Sequence, residues 1–205
     1  MPAKALGLIC ALVLSAPAFA DSAFYAGGSV GQSRAAFGPE FGSMAATTVD
    51  DKQTSSFALK LFGGYEMTRN WALEGGFARL GAPTVRTHDN ATGAELKREF
   101  RASSLNMAVK AALTPTDAFS LFGKLGLTRN FVKVYSFPEG TAEPTYNRTG
   151  AMYGAGIGYA WSKNVSLRAE YEHFGTFGRD FRMDPAAPGS LSLVLWSVGL
   201  AYSFR

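Results

Sequence analysis

Seven ionisable residues, Lys60, Glu74, Lys110, Lys124, Arg168, Glu170 and Glu172, fall where the chain alternates in polarity, and each shares the phase of small residues such as Gly64, Gly76, Gly126 and Gly158. Acids and bases set two residues apart along extended segments point to one side of a sheet. On a solvent face such charges mean little. Inside a narrow closed sheet they must pair, because an uncompensated ion in a poorly hydrated interior is costly. The chemistry they suggest is therefore ion pairing rather than turnover. Other reactive groups are sparse. His88 and His173 are the only histidines and Cys10 the only cysteine, so no Cys/His metal cluster is available. The stretches "GGYE" and "GAGIG" have no helix after them and suit close strand packing rather than phosphate binding. These observations lead us to expect no catalytic group, no metal site and no cofactor.

Eight segments of about ten residues carry the alternation. They lie near 24–33, 57–66, 71–78, 101–113, 119–128, 151–161, 165–172 and 197–205. In the last, "SVGLAYSFR", Val198, Leu200, Tyr202 and Phe204 form one face and Ser197, Gly199, Ala201 and Ser203 the other. Very short turns at 67–70, 114–117 and 162–164 alternate with long stretches at 34–54, 82–99, 137–148 and 175–190. The long stretches are polar or rich in Gly and Pro and read as loops. The expected fold is all-β, an eight-stranded antiparallel up-and-down transmembrane β-barrel, with short turns on one side of a membrane and long loops on the other. The charged, small face then lines a lumen just wide enough for side chains to fill.

Composition agrees. The chain has 205 residues, 47% hydrophobic, 13% aromatic and 18% charged, with 23 glycines, which suits one closed β domain and disfavours disorder. Residues 1–20 read as a secretory signal peptide: Lys4, an apolar run over 5–15, and Ala18-Phe19-Ala20 before Asp21. Residues 21–205 then form the barrel domain, and Cys10 is removed with the signal. No later stretch approaches the roughly 20 apolar residues a spanning helix needs. The formal charge of +4 comes from scattered cations and gives no reason to expect a nucleic-acid partner. Tyr65, Trp71, Phe119, Tyr159, Trp161, Tyr202 and Phe204 share the outward phase close to a short turn or the C-terminus, as aromatics do at a membrane interface.

The chain resembles the OmpA-like transmembrane β-barrel family of Gram-negative outer membranes, and more loosely the small OmpX and Ail barrels. The resemblance runs through "FYAGGSVGQS", "FGGYEMTRNWALEGGFARLG", "GIGYAWSKNVSLRAEYEHFG" and the terminal "SVGLAYSFR". It implies a cell outer-membrane location and a lumenal carboxylate on the third strand facing basic residues on the fourth and seventh. Glu74, Lys110 and Arg168 occupy those places, whereas a further lumenal Glu of the family, on the sixth strand, is Gly158 here. The aromatic residue that the family presents at its terminus for the assembly machinery is followed here by Arg205. The periplasmic domain of some members is not expected, because the chain stops at the eighth strand. Some eight-stranded outer-membrane barrels are lipid A deacylases with a lipid-facing Ser-His-acid group. His173 has the outward phase, but the Ser such enzymes keep two residues later is Gly175.

The function expected is thus a non-enzymatic outer-membrane protein serving envelope integrity or surface interaction through four loops, with a small diffusion channel or a lipid-modifying enzyme as the alternative. Its partners would be outer-membrane lipids and lipopolysaccharide, the assembly machinery, and an extracellular ligand. A lumenal network of Lys60, Glu74, Lys110, Lys124, Arg168 and Glu170 would plug the interior, and loss of Glu74 would destabilise the barrel and raise its conductance.

Overall fold

A computed structural model describes residues 23–37, 47–89, 95–137, 146–184 and 187–204. The expected signal peptide, residues 21–22, Arg205 and a part of each of the four long stretches lie outside these residues. Ten strand segments follow one another along the chain: β1 (Ala23–Phe37), β2 (Thr47–Gln53), β3 (Ser55–Glu66), β4 (Trp71–Arg79), β5 (Thr84–Asp89), β6 (Glu95–Leu113), β7 (Phe119–Phe137), β8 (Tyr146–Ala160), β9 (Val165–Asp184) and β10 (Ala187–Phe204). β2 runs into β3 through Thr54, and β4 into β5 across 80–83, so the ten segments make eight barrel strands. Each pairs antiparallel with its neighbours. β1 joins β3 on one side and β10 on the other, and β6 pairs with β7, which closes the sheet. Among the described residues, closure gives every barrel strand a hydrogen-bonded neighbour on both sides.

Alternation sets the two faces. Leu61, Leu113, Leu125 and Leu127 stand on the outside with more than 60% of their surface exposed, while Lys60, Phe62, Glu74 and Lys124 are buried inside. A contiguous exposed apolar belt of this kind is tolerable only against lipid. The short turns are closed by hydroxyls, as expected of Ser and Thr in turns. Thr68 Oγ1 accepts from the Trp71 amide at 3.1 Å, Thr116 Oγ1 from the Phe119 amide at 3.0 Å, and Ser162 Oγ from the Val165 amide at 3.1 Å. Asn70 and Asn164 each donate 2.8 Å side-chain bonds to a neighbouring strand end, at the carbonyls of Ala112 and Ser203.

The long stretches differ from the sequence reading. Parts of all four are strand rather than loop: β1 reaches Phe37, β2 and β5 lie wholly inside the first two, β7 ends only at Phe137, and β9 and β10 run through 175–184 and 187–190. About 9–11 residues cross a bilayer, so β7 with 19 residues and β9 with 20 extend well beyond one. The alternation that marks a strand was invisible there because a ribbon projecting into water has no lipid side to demand apolar residues. Two glycines with positive φ articulate these extensions, Gly81 at 78° between β4 and β5 and Gly175 at 81° within β9. Hydrogen bonds carry the pairing across the first break, from the Leu80 amide to the Ala102 carbonyl at 2.9 Å and from the Phe100 amide to the Pro83 carbonyl at 2.9 Å.

Candidate functional site in the barrel lumen

The inward residues stack in layers. At the short-turn end Tyr25, Phe62, Ala72 and Ala201 form a small apolar cluster, with Phe122 beside the cations above it. Next comes the charged layer. Lys124 on β7 places Nζ 2.6 Å from Glu74 Oε1, 2.9 Å from Glu170 Oε2 and 3.2 Å from Glu172 Oε1. Lys60 on β3 binds Glu170 at 2.9 Å and Glu172 at 2.6 Å. Arg168 on β9 reaches Glu74 through Nη2 at 3.0 Å and Glu170 through Nε at 3.0 Å. Tyr25 donates its hydroxyl to Glu74 at 2.8 Å. Every charged member is at least 95% buried. Three carboxylates thus meet three cations and the cluster is neutral, which is the condition for tolerating ions in a dry interior. The rings of Phe62 and Phe122 flank it, with the Arg168 guanidinium 4.6 and 4.9 Å from their centroids.

Two residues depart from the sequence reading. Lys110 shares the inward phase but makes no ion pair with Glu74. Its Nζ lies over the Tyr25 ring at 4.5 Å and the Phe122 ring at 5.7 Å. It sits on β6 nearer the short turns than Glu74, since Lys110 opposes Ala72 across the sheet while Glu74 opposes Ala108. Glu172, outside the expected network, is a full member through both lysines. Its alternation with Glu170 on one strand was signal enough to include it. The oxygens of Glu74, Glu170 and Glu172 gather within 4.8 Å, close enough to hold a metal ion, but lysine ammonium groups stand among them.

Above the ions lies a polar layer in which Ser104 and Thr128 share a 2.5 Å hydroxyl bond and Asn130 donates to the Phe174 carbonyl at 2.7 Å. Above that is an apolar layer that sequence reasoning missed. Leu80, Phe100, Val132, Phe174, Leu193 and Leu195 are buried to within 1% and close the lumen toward the long hairpins. Ser33 donates to the Leu80 carbonyl and ties this layer to β1. All six lie just outside the recognised segments, in the gaps between those segments and the stretches read as loops.

On the outer wall, Tyr65, Trp71, Phe119, Tyr159, Trp161, Tyr202 and Phe204 are exposed, from 37% for Tyr65 to 70% for Trp161. Several touch one another, with Phe119 and Tyr159 centroids 5.0 Å apart and Tyr202 and Phe204 also 5.0 Å apart. Phe24 joins the band through Tyr65, likewise at 5.0 Å.

His88 lies in β5 opposite Thr48 and Glu95. His173 is half-buried, stacked on Tyr153 with centroids 4.7 Å apart, and meets a hydroxyl that sequence spacing did not indicate, Ser192 Oγ at 2.8 Å from Nε2. The Gly175 amide donates to Nδ1 at 3.1 Å. Nδ1 is therefore the lone-pair nitrogen of the neutral ring, and Nε2 carries the proton and donates to Ser192. That tautomer is the wrong one for a base activating a serine.

A closed eight-stranded sheet with a lipid-suited wall and a filled charged lumen is the architecture of a small outer-membrane barrel, and comparison with known proteins agrees. The outer membrane protein beta-barrel domain family matches residues 6–204. The chain belongs to this family. It is an outer-membrane β-barrel protein. Among solved structures it resembles Ail, the attachment invasion locus protein of Yersinia pestis, with TM-score 0.52 and 21% identity over 89% of this chain and 98% of that one. Neisserial surface protein A gives TM-score 0.55 at 15% identity over 89% and 99%, and a major outer membrane protein of Thermus thermophilus gives 0.51 at 14% over 90% and 100%. At these identities the likeness is one of fold. No curated protein matches the chain.

Proposed function

We propose that this outer-membrane barrel is a non-enzymatic, non-conducting anchor that carries long β-ribbons at the cell surface, where they contribute to envelope integrity and engage an extracellular partner. The observation that carries the reading is the lumen: among the described residues a neutral ion cluster stacked beneath a buried apolar layer fills the interior, so the elongated hairpins are the parts left to act. In this reading residues 1–20 are a cleaved signal, and the barrel domain begins at Asp21. The short turns face the periplasm. The aromatic band from Tyr65 to Phe204 lies at the inner interface of the membrane, and the exposed leucines contact lipid and, in the outer leaflet, lipopolysaccharide. The assembly machinery acts on the terminal strand, which ends in alternating Tyr202 and Phe204.

Planar-bilayer recording tests the closed lumen: purified protein should show no steady conductance, and a porin-sized step would favour the diffusion channel. The tautomer at His173 supports the non-enzymatic reading. The lipid A mass spectrum of expressing cells should be unchanged, and should not differ between wild type and His173→Ala. A deacylated species dependent on His173 and Ser192 would replace this reading with a lipid-modifying enzyme.

A further inference from the structure

We infer that the short-turn mouth of the barrel binds one small free oxyanion of the phosphate type, held between Lys110 and Arg168. The mouth is a polar vestibule of about 340 Å3 whose lining includes Tyr25, Lys110, Ser120, Phe122, Gly158 and Arg168.

Charge accounting points there. Glu74, Glu170 and Glu172 are already matched by Lys60, Lys124 and Arg168, so Lys110 adds one unmatched positive charge to the lumen. Its Nζ has ring faces rather than a carboxylate of that cluster, with Tyr25 at 4.5 Å. The remaining charged lining residues, Glu66, Arg69, Asp117 and Lys163, cancel in number. Arg168 supplies the second element. It is 95% buried, donates Nη2 to Glu74 and lies with Nε 3.0 Å from Glu170 in an ion pair, and its Nη1 is the one buried cationic nitrogen among the described residues without a protein hydrogen-bond partner. A guanidinium N–H buried in this way demands an acceptor. Both cations lie against the same two rings, Tyr25 and Phe122.

The backbone leaves the room. Arg168 is opposite Gly158 on β8, and Gly158 is opposite Ser120 on β7, so the strand next to Arg168 presents no side chain to fill the mouth or supply a carboxylate. A Cβ at 158 would lie 2.5 Å from Ser120 Oγ, and the next atom it meets, the Leu167 carbonyl oxygen, is 3.8 Å away. An oxyanion seated over Gly158 would take a charge-assisted bond from Arg168 Nη1 and the point charge of Lys110, with the Ser120 hydroxyl in reach, a donor set suited to phosphate.

The test uses the mature barrel refolded in zwitterionic micelles, with urea-unfolding midpoints and calorimetric titration of inorganic phosphate against sodium chloride at matched ionic strength. Phosphate, and not chloride, should give a saturable response. Lys110→Met should weaken it at least tenfold, whereas Lys110→Arg should keep it within about threefold. Gly158→Glu combined with Ser120→Gly, which places a carboxylate in the mouth and retains Lys110, should abolish it. The inference is overturned if wild type responds equally to chloride, or if either charge-altering variant keeps wild-type half-saturation. It is also overturned if the response appears only in vesicles of phosphatidylglycerol without added phosphate, which would make a lipid headgroup the source.

Discussion

Glu74→Ala is the most informative perturbation of the lumen. The Glu74 carboxylate accepts from Lys124 at 2.6 Å, Arg168 at 3.0 Å and Tyr25 at 2.8 Å. Removing it leaves two carboxylates against three cations in a layer at least 95% buried. Losing one partner of a buried pair costs about 3–5 kcal/mol, because the other charge stays buried and uncompensated. Lys124 keeps Glu170 and Glu172, so Arg168 bears most of the loss. We expect a cost of about 3 kcal/mol, at the lower end of that range. With a urea slope of about 2 kcal/mol/M for a domain of this size, the unfolding midpoint should fall by about 1.5 M, read from the gel shift between folded and unfolded forms. Conductance should not rise. Strand phase taken alone leads to the opposite expectation, that freeing Lys110 or Arg168 opens a path. The apolar layer of Leu80, Phe100, Val132, Phe174, Leu193 and Leu195 lies above the ions and is untouched by the change. Steady conductance should appear only when Phe100→Ala and Phe174→Ala are added. A midpoint shift below about 0.3 M, or steady conductance from Glu74→Ala alone, would refute the reasoning.

The walls and the hairpins can be tested in the same way. Leu125→Arg, on the outer face where the leucine is 69% exposed, should cost about 2–4 kcal/mol of stability in a bilayer, while Trp161→Arg in the aromatic band should cost about 0–1 kcal/mol. A water-exposed wall would show no such difference in urea titrations in liposomes. Phe100→Ala, at a fully buried position, should lower stability by about 3–5 kcal/mol, measured by the same titration. Unheated protein should run apart from boiled protein on a denaturing gel, since a closed hydrogen-bonded sheet resists detergent; identical mobility would count against closure. Protease applied to intact cells should cut between Phe37 and Thr47 or between Phe137 and Tyr146 and spare 114–118, and the reverse pattern would invert the proposed orientation.

The legible parts of the sequence were those where one face of a strand meets lipid. Leu121, Leu125 and Leu127 alternate with Phe122, Lys124 and Gly126 because a membrane-crossing strand has one apolar and one packed face, and that contrast fixed both strand and phase. Past the membrane the contrast disappears. In "FRASS" of β6, Phe100 and Ala102 point inward as apolar residues while Arg101 and Ser103 face out, the reverse of the pattern lower in the same strand, so a template seeking apolar-out segments skips it. Leu193 and Leu195 were hidden for a related reason. They lie in "SLSLVLW", where inward Leu193 and Leu195 are interleaved with Val194 and Trp196, and an apolar run without alternation shows no phase. The ionic residues were legible as a set but not as pairs. Strand phase says that Lys110 and Lys124 both point inward. They are direct cross-strand partners, and only their other neighbours separate them: Lys110 faces Ala72 on β4, whereas Lys124 faces Gly154 and through it Glu172, and such pairing is a long-range property.

The two lumen layers depend on one another. An ion cluster open to bulk water would be screened and weakly held, since exposed pairs are worth about 0–1 kcal/mol. Here the apolar layer closes the cluster on the long-hairpin side and the rings of Tyr25, Phe62 and Phe122 flank it on the other, so the cations and carboxylates interact at low effective dielectric. The same dryness penalises any imbalance, which is why the carboxylate count matches the cation count inside the cluster and why Lys110, the surplus charge, sits outside it in the vestibule. Dependence runs the other way as well. The carboxylates on β4 and β9 and the cations on β3, β7 and β9 clamp distant points of the wall across the interior, and so hold the circumference at which the six large apolar side chains can fill the section above. A double-mutant cycle between Glu74→Ala and Phe100→Ala should therefore give destabilisations that fail to add, by at least about 0.5 kcal/mol, although the two residues do not pair across the sheet. Strict additivity would mean that each layer closes the lumen on its own.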